Sequence, residues 1–303
     1  MNALPILLKG DSVCLVSPSF SAAKEDIEEG IQALKDLGLN VKLGHFIFRN
    51  WGSFSGTDKE RLADLQTALD SETAKAIICV RGGYGISRII DQLDWSGFLK
   101  YPKYLVGFSD ITLLNLKIQQ LGLATIHGLM AARFAKLEHQ PGFKALVDLL
   151  FEPSPLLRYQ IQKASKSDCA SEIVGKLIGG NLTMVSHAFG TGLQPDLSNA
   201  ILFLEDVGEP LYRIDRMLHQ IRLSGKVNEL KAIVLGQFTD CVQGGFPLEL
   251  LELVCSVFPD LPVFHGLESG HAAPNFPVVT GAMAKIEMKE NGYDFIQSWN
   301  QEA

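Results

Sequence analysis

The run Ala76 to Val80, AIICV, is apolar at every position and passes without a spacer into RGGYG. A strand with no polar face needs cover on both sides, which places it inside a parallel sheet flanked by helices. The same unit recurs along the first half of the chain. Val13 to Ser17 is a short apolar strand ending at Pro18, and Lys24 to Leu37 then carries Ile27, Ile31, Leu34 and Leu37 at helical spacing before Gly38. Val41 to Leu43 is the next strand, and Asp58 to Leu69 is an amphipathic helix with Leu62, Leu65 and Leu69 on one face. After AIICV the pattern predicts a helix over Ser87–Leu93, a strand at Tyr104–Val106, a helix entered through Ser109, a strand at Ala124–Ile126 and a helix over Phe143–Phe151. Alternation at this spacing predicts an open parallel sheet with helices on both faces.

The stretch from Glu152 to Ser171 breaks the pattern with prolines and serines and no sustained period, and it reads as a linker. Beyond it, strands at Ile173–Ile178, Ala200–Leu204, Ala232–Leu235 and Met283–Met288 accompany a strong helix over Tyr212–Leu223 that Gly225 closes. The expected organisation is an α/β N-terminal domain over residues 1–155, a linker over 156–171 and a mixed α+β C-terminal domain over 172–303. A length of 303 residues is sufficient for two cores.

A formal net charge of -7 and the lack of a basic tract give no electrostatic footprint for nucleic acid or an anionic membrane. No apolar run reaches the eighteen or so residues needed to span a bilayer, and the first residues do not read as a signal peptide. The five cysteines (Cys14, Cys79, Cys169, Cys241 and Cys255) are widely spaced and sit mostly in apolar runs, the pattern of reduced thiols in a cytoplasmic protein.

Chemistry concentrates at breaks in the pattern. Gly107-Phe108-Ser109-Asp110-Ile111 turns from strand into helix, where a serine is presented at the carboxyl end of the sheet. It lacks the second glycine of a G-x-S-x-G elbow, and an ordinary helix N-cap accounts for Ser109 equally well. RGGYG, Arg81 to Gly85, offers backbone amides at a strand-to-helix turn, suited to an anion or a developing oxyanion; a plain tight turn is the competing account. It is not a dinucleotide fingerprint, because the third glycine would fall at Arg88, and no Walker lysine exists. Glu205 ends the apolar run ILFLE and is followed by Asp206; such a carboxylate either caps a helix or orients a histidine. His271 lies in the loop SGHAAPN, whereas His187 and His219 fall in helical patterns and His127 precedes a glycine. A serine needs a base and the base needs an orienting acid, so Ser109, His271 and Glu205 form a possible triad, although any long chain supplies such a trio. No cluster of histidine, cysteine and carboxylate residues has metal-ligand spacing.

Taken together, GDSVCLVSPS, WGSFSGTDKERLADL, AIICVRGGYGISRIIDQLDW, VGFSDIT, His127-Gly128, GGNLTMVSHAFGT, LFLEDVGEPLYRIDRML and GHAAPN, in this order, resemble the LD-carboxypeptidase family of serine peptidases. The resemblance implies a flavodoxin-like N-terminal domain carrying the serine and a C-terminal domain supplying glutamate and histidine. It implies Ser109 as nucleophile, Glu205 as orienting acid, His271 as general base, and the backbone N–H groups of Gly83 and Asp110 as oxyanion hole. The reaction implied is hydrolysis of the amide between the L-centre of meso-diaminopimelate and terminal D-alanine in murein tetrapeptides, without a cofactor, by a cytoplasmic homodimer. Arg81 is a candidate for a substrate carboxylate, with a surface salt bridge as the other account.

The chain departs from the family pattern at Leu129, where proline usually follows HG, and in the proline-rich loop around His271. Two other readings remain open from the sequence. One is a related branch that cleaves acyl-nucleotide toxins of the microcin C type; it is expected to offer an aromatic platform for the base, which Trp51, Trp95 and Trp299 do not evidently supply. The other is a catalytically silent peptide-binding protein on the same scaffold.

Overall fold

The structure, a computed structural model, describes residues 6–137 and 139–298. Five strands form its first sheet in the order expected of a flavodoxin-like fold: β2 (Asn40–Leu43), β1 (Ser12–Val16), β3 (Ala74–Cys79), β4 (Tyr104–Val106) and β5 (Thr125–His127), all parallel. AIICV is the middle of this sheet for the reason its sequence suggested. Cys14, Val16, Ile77, Cys79 and Leu105 fill one face, and Val13, Leu15, Ala76, Ile78, Val80 and Val106 fill the other.

Helices Lys24–Asp36, Asp58–Asp70, Thr112–Gln120 and Pro141–Phe151 cover the sheet close to where the apolar spacing put them. The expected helix over Ser87–Leu93 is instead two single 3-10 turns, Ile86–Arg88 and Ile90–Gln92, closed by bonds of the i to i−3 kind such as Arg88 N–H to Gly85 C=O at 3.2 Å. The Ile86 amide is held by the Asp110 carboxylate at 3.0 Å, which pins the start of the segment to the neighbouring loop.

The second half closes into a barrel of seven strands. In barrel order these are β10 (Val263–His265), β6 (Leu156–Lys163), β13 (Gly292–Ser298), β12 (Met283–Lys289), β7 (Glu172–Asn181), β8 (Ala200–Val207) and β9 (Ala232–Thr239). Thus the stretch expected to be linker contains β6, with Leu157 and Ile161 buried and Leu156, Arg158 and Gln160 exposed. Its antiparallel pairing with β13 supplies the context that the local sequence lacks. The helix Leu211–Leu223 packs against the barrel through Leu211, Ile214, Leu218 and Ile221. Among the described residues no helix is long and apolar enough to cross a membrane.

One short strand does not stay with its own half. β11 (Val278–Thr280) joins the first sheet antiparallel to β5, pairing Val278 with His127 and Thr280 with Thr125, whose hydroxyls lie 2.9 Å apart. Because β11 follows the His271 loop closely, this pairing carries that loop to the edge of the first sheet. Helix Pro141–Phe151 supports the same loop. Gly142 lies so close that an added Cβ would overlap the carbonyl oxygen of Pro274. We expect Gly142→Ala to cost about 1–3 kcal/mol of stability through overpacking, read as a lower urea midpoint at an unchanged denaturant slope.

Candidate active site

The loops that leave the carboxyl ends of β1, β3 and β4 are locked to one another by buried polar groups. Asp110 Oδ2 accepts the Ser19 hydroxyl at 2.6 Å and the Ile86 amide at 3.0 Å, joining all three. Burial raises the Asp110 pKa, while those two hydrogen bonds pull it down. Arg61, fully buried on helix Asp58–Asp70, donates from Nη1 to the carbonyls of Pro18 and, at 3.1 Å, Gly85. The Phe20 amide donates to Gly82 C=O at 3.2 Å, and Gly83 turns through a φ of 110° against the Phe20 ring, where a Cβ would collide. Glycine is needed there for both reasons.

Ser109 sits at the top of β4 with a φ of 63°, in the left-handed region that non-glycine residues rarely occupy. The capping positions of the turn Ser109–Ile111 and of helix Thr112–Gln120 are Phe108 and Ile111, not Ser109. The N-cap account of this serine therefore gives way to the elbow account. The missing second glycine of the elbow is supplied from elsewhere: a Cβ on Gly82 would lie 2.8 Å from Ser109 Cβ and 3.1 Å from its Oγ. Neither the Gly83 nor the Asp110 amide is given to a backbone acceptor among the described residues.

Glu205 and Asp206 divide the two roles open to a carboxylate at the end of a buried strand. The register of β8 on β9 shifts between Leu204 and Asp206, an irregularity that lets both side chains turn inward. Asp206 supports the start of a helix whose N-cap is Asn181. It accepts Asn181 Nδ2 at 2.8 Å, the Thr183 amide at 3.0 Å and the Thr183 hydroxyl at 2.8 Å, at the start of helix Leu182–Ala188. Glu205 is the orienter, with Oε2 accepting His271 Nδ1–H at 2.7 Å. Since the carboxylate accepts, Nδ1 carries the proton and Nε2 keeps the basic lone pair. Burial raises the Glu205 pKa above the ordinary carboxyl range, opposed by the hydrogen bond and charge of His271.

The His271 loop is held on several sides. Gly270 N–H donates to Asn275 Oδ1 at 3.1 Å, and Gln237 accepts the Ala272 amide at 3.0 Å while donating to Ala273 C=O at 3.3 Å. A Cβ on Gly270 would lie 3.0 Å from Glu205 Oε2, so only glycine lets the carboxylate reach the next residue. The structure brings Ser109, His271, Gly82, Gly83 and Arg81 onto the wall of one cleft of about 530 Å³, and Glu205 lies buried behind His271. Phe108 packs its ring 4.8 Å from that of His271.

Residues 13–128 match the N-terminal domain of the LD-carboxypeptidases and residues 174–286 match their C-terminal domain. The chain belongs to the LD-carboxypeptidase family. A murein tetrapeptide carboxypeptidase of Pseudomonas aeruginosa is 34% identical over 289 residues, which cover 91% of this chain and 92% of that protein. The crystal structure of a muramoyltetrapeptide carboxypeptidase from Oxalobacter formigenes superposes with a TM-score of 0.83 at 26% identity, over 94% of this chain and 98% of that one. The microcin C7 self immunity protein MccF, in complex with aspartyl sulfamoyl adenosine, shares the fold with a TM-score of 0.84 at 22% identity, over 97% of this chain and 98% of that one. Membership in the LD-carboxypeptidases makes the chain a serine-type peptidase, a hydrolase, and its relatives make carboxypeptidase its function. Ser109 falls in the matched N-terminal segment, and Glu205 and His271 fall in the C-terminal one.

Three features of this LD-carboxypeptidase site escaped the sequence reading. Asp110 was visible only as a backbone donor, yet its side chain locks the loops. Trp51 stacks on Phe54 at 5.8 Å, beside Tyr84, and both Trp51 and Tyr84 are about half exposed, so the neighbourhood of RGGYG does present an aromatic shelf. Trp95 is buried, and Trp299 lies outside the described residues. Third, His127 is fully buried between Phe108 and Phe203, with no hydrogen-bond partner at either ring nitrogen among the described residues. Burial pushes its pKa down to about 3, and the nearby His271 acts in the same direction. An unfolded chain protonates this ring below about pH 6.5, whereas the folded chain holds it neutral, so stability drains away as pH falls through that value. His127→Phe preserves a ring between its neighbours and removes the titration. Between pH 7 and 5, urea unfolding should show the unmodified protein losing about 2 kcal/mol more than this variant.

Proposed function

We propose that Ser109, His271 and Glu205 are the catalytic triad of a serine carboxypeptidase that removes terminal D-alanine from murein tetrapeptides, at the amide to the L-centre of meso-diaminopimelate. The observation that carries this reading is the Glu205–His271 hydrogen bond of 2.7 Å, beside a cleft that His271 shares with a serine in a left-handed elbow. In the first step the Ser109 Oγ–H proton passes to His271 Nε2 as Oγ bonds to the carbonyl carbon. Glu205, accepting from Nδ1, stabilises the imidazolium that results. In this reading the Gly83 and Asp110 amides, which take no backbone acceptor among the described residues, receive the oxyanion; one such donor typically contributes about 3 kcal/mol to the transition state. His271 then returns the proton to the leaving nitrogen, D-alanine departs, and water attacks the acyl-serine by the same route in reverse.

Five free cysteines are consistent with action in the cytoplasm, and the family resemblance suggests a homodimer. The chemistry assigned to these residues needs no cofactor. Purified protein incubated with murein tetrapeptide should release free D-alanine. Ser109→Ala should lower turnover by roughly 10⁶ and Glu205→Gln by about 10⁴. An unmodified protein that releases none, or a Ser109→Ala variant that releases as much, defeats the triad.

A second reading, hydrolysis of an acyl-nucleotide toxin, is favoured by the shelf of Trp51, Phe54 and Tyr84, since a base stacks on an exposed aromatic face. If it holds, Trp51→Ala should lower kcat/KM for an acyl sulfamoyl adenosine by about 5–100-fold and leave tetrapeptide cleavage unchanged. Equal loss on both substrates removes this reading.

A further inference from the structure

Beyond the triad, the cleft is lined by three cations, and they differ in what already occupies them. Lys136 is paired with Asp26 at 2.5 Å, so its charge is met within the wall. Arg81 gives Nη1 to the carbonyl of Ser21 at 3.0 Å, which lays its guanidinium along the β1 loop. Arg133 has an exposed side chain with neither a hydrogen-bond nor an ion-pair partner among the described residues.

Its backbone, in contrast, is fixed. The Ala132 amide donates to Val80 C=O at 3.1 Å, and the Arg133 amide donates to Met130 C=O at 3.0 Å. The first bond docks the turn Ala131–Arg133 beside the residue preceding Arg81, at the same carboxyl edge of the sheet as Ser109. Val80, Leu129, Met130 and Leu137 give that end of the cleft apolar walls, where a charge-assisted hydrogen bond is worth more than in open water.

We propose that Arg133, more than Arg81, holds the free carboxylate at the end of the substrate chain. This rests on the carboxypeptidase reading of the cleft and adds to it the feature that an exopeptidase requires. An enzyme that removes only the last residue must distinguish a terminal carboxylate from an internal amide, because the last peptide bond and an internal one present the same carbonyl to the triad. A planar guanidinium with its fork unoccupied meets a carboxylate through two parallel N–H···O bonds and offers nothing comparable to an amide. Of the three cations, Arg133 alone is both anchored through its backbone and free at its head. Arg81 and Lys136 then act as background positive charge.

The test separates binding from chemistry by working on the Ser109→Ala background. Titration calorimetry would compare Ser109→Ala with Ser109→Ala/Arg133→Ala, using murein tetrapeptide ending in free D-alanine and the same peptide ending in D-alaninamide. Removal of Arg133 should weaken binding of the free acid by about 10–100-fold, the range of a charge-assisted hydrogen bond. Binding of the amide should change by less than about 2-fold. Arg133→Lys, which keeps the charge and loses the fork, should fall between the two on the free acid, and Arg81→Ala should discriminate acid from amide less than Arg133→Ala does. Equal loss on acid and amide, no loss on either, or no binding of the acid by Ser109→Ala itself would each overturn the assignment. D-alanine release by the unmodified enzyme reports on the triad separately, so failure of one does not mimic failure of the other.

Discussion

The site depends on three residues of main-chain pairing. β11 belongs in sequence to the second half, between the His271 loop and the barrel strand β12, yet it hydrogen-bonds to β5 of the first sheet. It gives a loop held to the barrel by Glu205 and Gln237 a strand connection to the sheet that carries Ser109. The pairing is short, but it lies in the interior: Val278, Val279 and Thr280 are all buried, and Tyr159 Oη reaches across to Pro277 C=O at 2.9 Å. Backbone groups in such a place have no water to fall back on, so the register is strongly specified. Asn181 adds a second tie between the halves, its amide donating to Thr112 Oγ1 at 3.2 Å.

Buried ionisable groups account for much of the remaining order, and they are handled in three ways. Asp206 is saturated with donors and supports the start of helix Leu182–Ala188. Asp110 uses one oxygen for two donors and leaves Oδ1 unpartnered, a cost borne within a loop that has to stay rigid. Glu205 commits Oε2 to His271 and leaves Oε1 without a partner. A carboxylate so poorly satisfied by neutral donors favours any cation beside it, which is the environment an imidazolium requires. His127 is treated in the opposite way, sealed between aromatic rings so that no second positive charge competes with His271.

Most of the first sheet was legible from periodicity, because parallel strands covered on both faces have a distinctive apolar run and their helices carry regular stripes. The two failures have local causes. Ser87–Leu93 has helical spacing, but the backbone leaves helical geometry at Ile89, and the Ile86 amide just before the segment is tied to Asp110, a residue from another loop that no window on the chain contains. β6 looks like linker because it buries only two aliphatic side chains, Leu157 and Ile161, and finds its partners β10 and β13 far along the chain. At the site, residue types alone left Ser109, Glu205 and His271 open, and the family resemblance named them as candidates. What the sequence withheld was the part Asp206 plays at the start of helix Leu182–Ala188, the close approach of Gly82 to Ser109, and the occupancy of the cations. Each is decided by contacts across strands.

The crossing strand also bears on when the molecule becomes reactive. Of the six strands in the first sheet, β11 comes last in the chain, far behind the segment that carries Ser109. On the proposed reading, the serine, its flanking turns and most of its sheet emerge during synthesis with no base to accept the hydroxyl proton. Competence then arrives together with completion, and an unfinished or partly unfolded chain exposes only an inert alcohol. Splitting the acid and base from the nucleophile, and joining them through one late strand, makes hydrolysis a property of the finished fold.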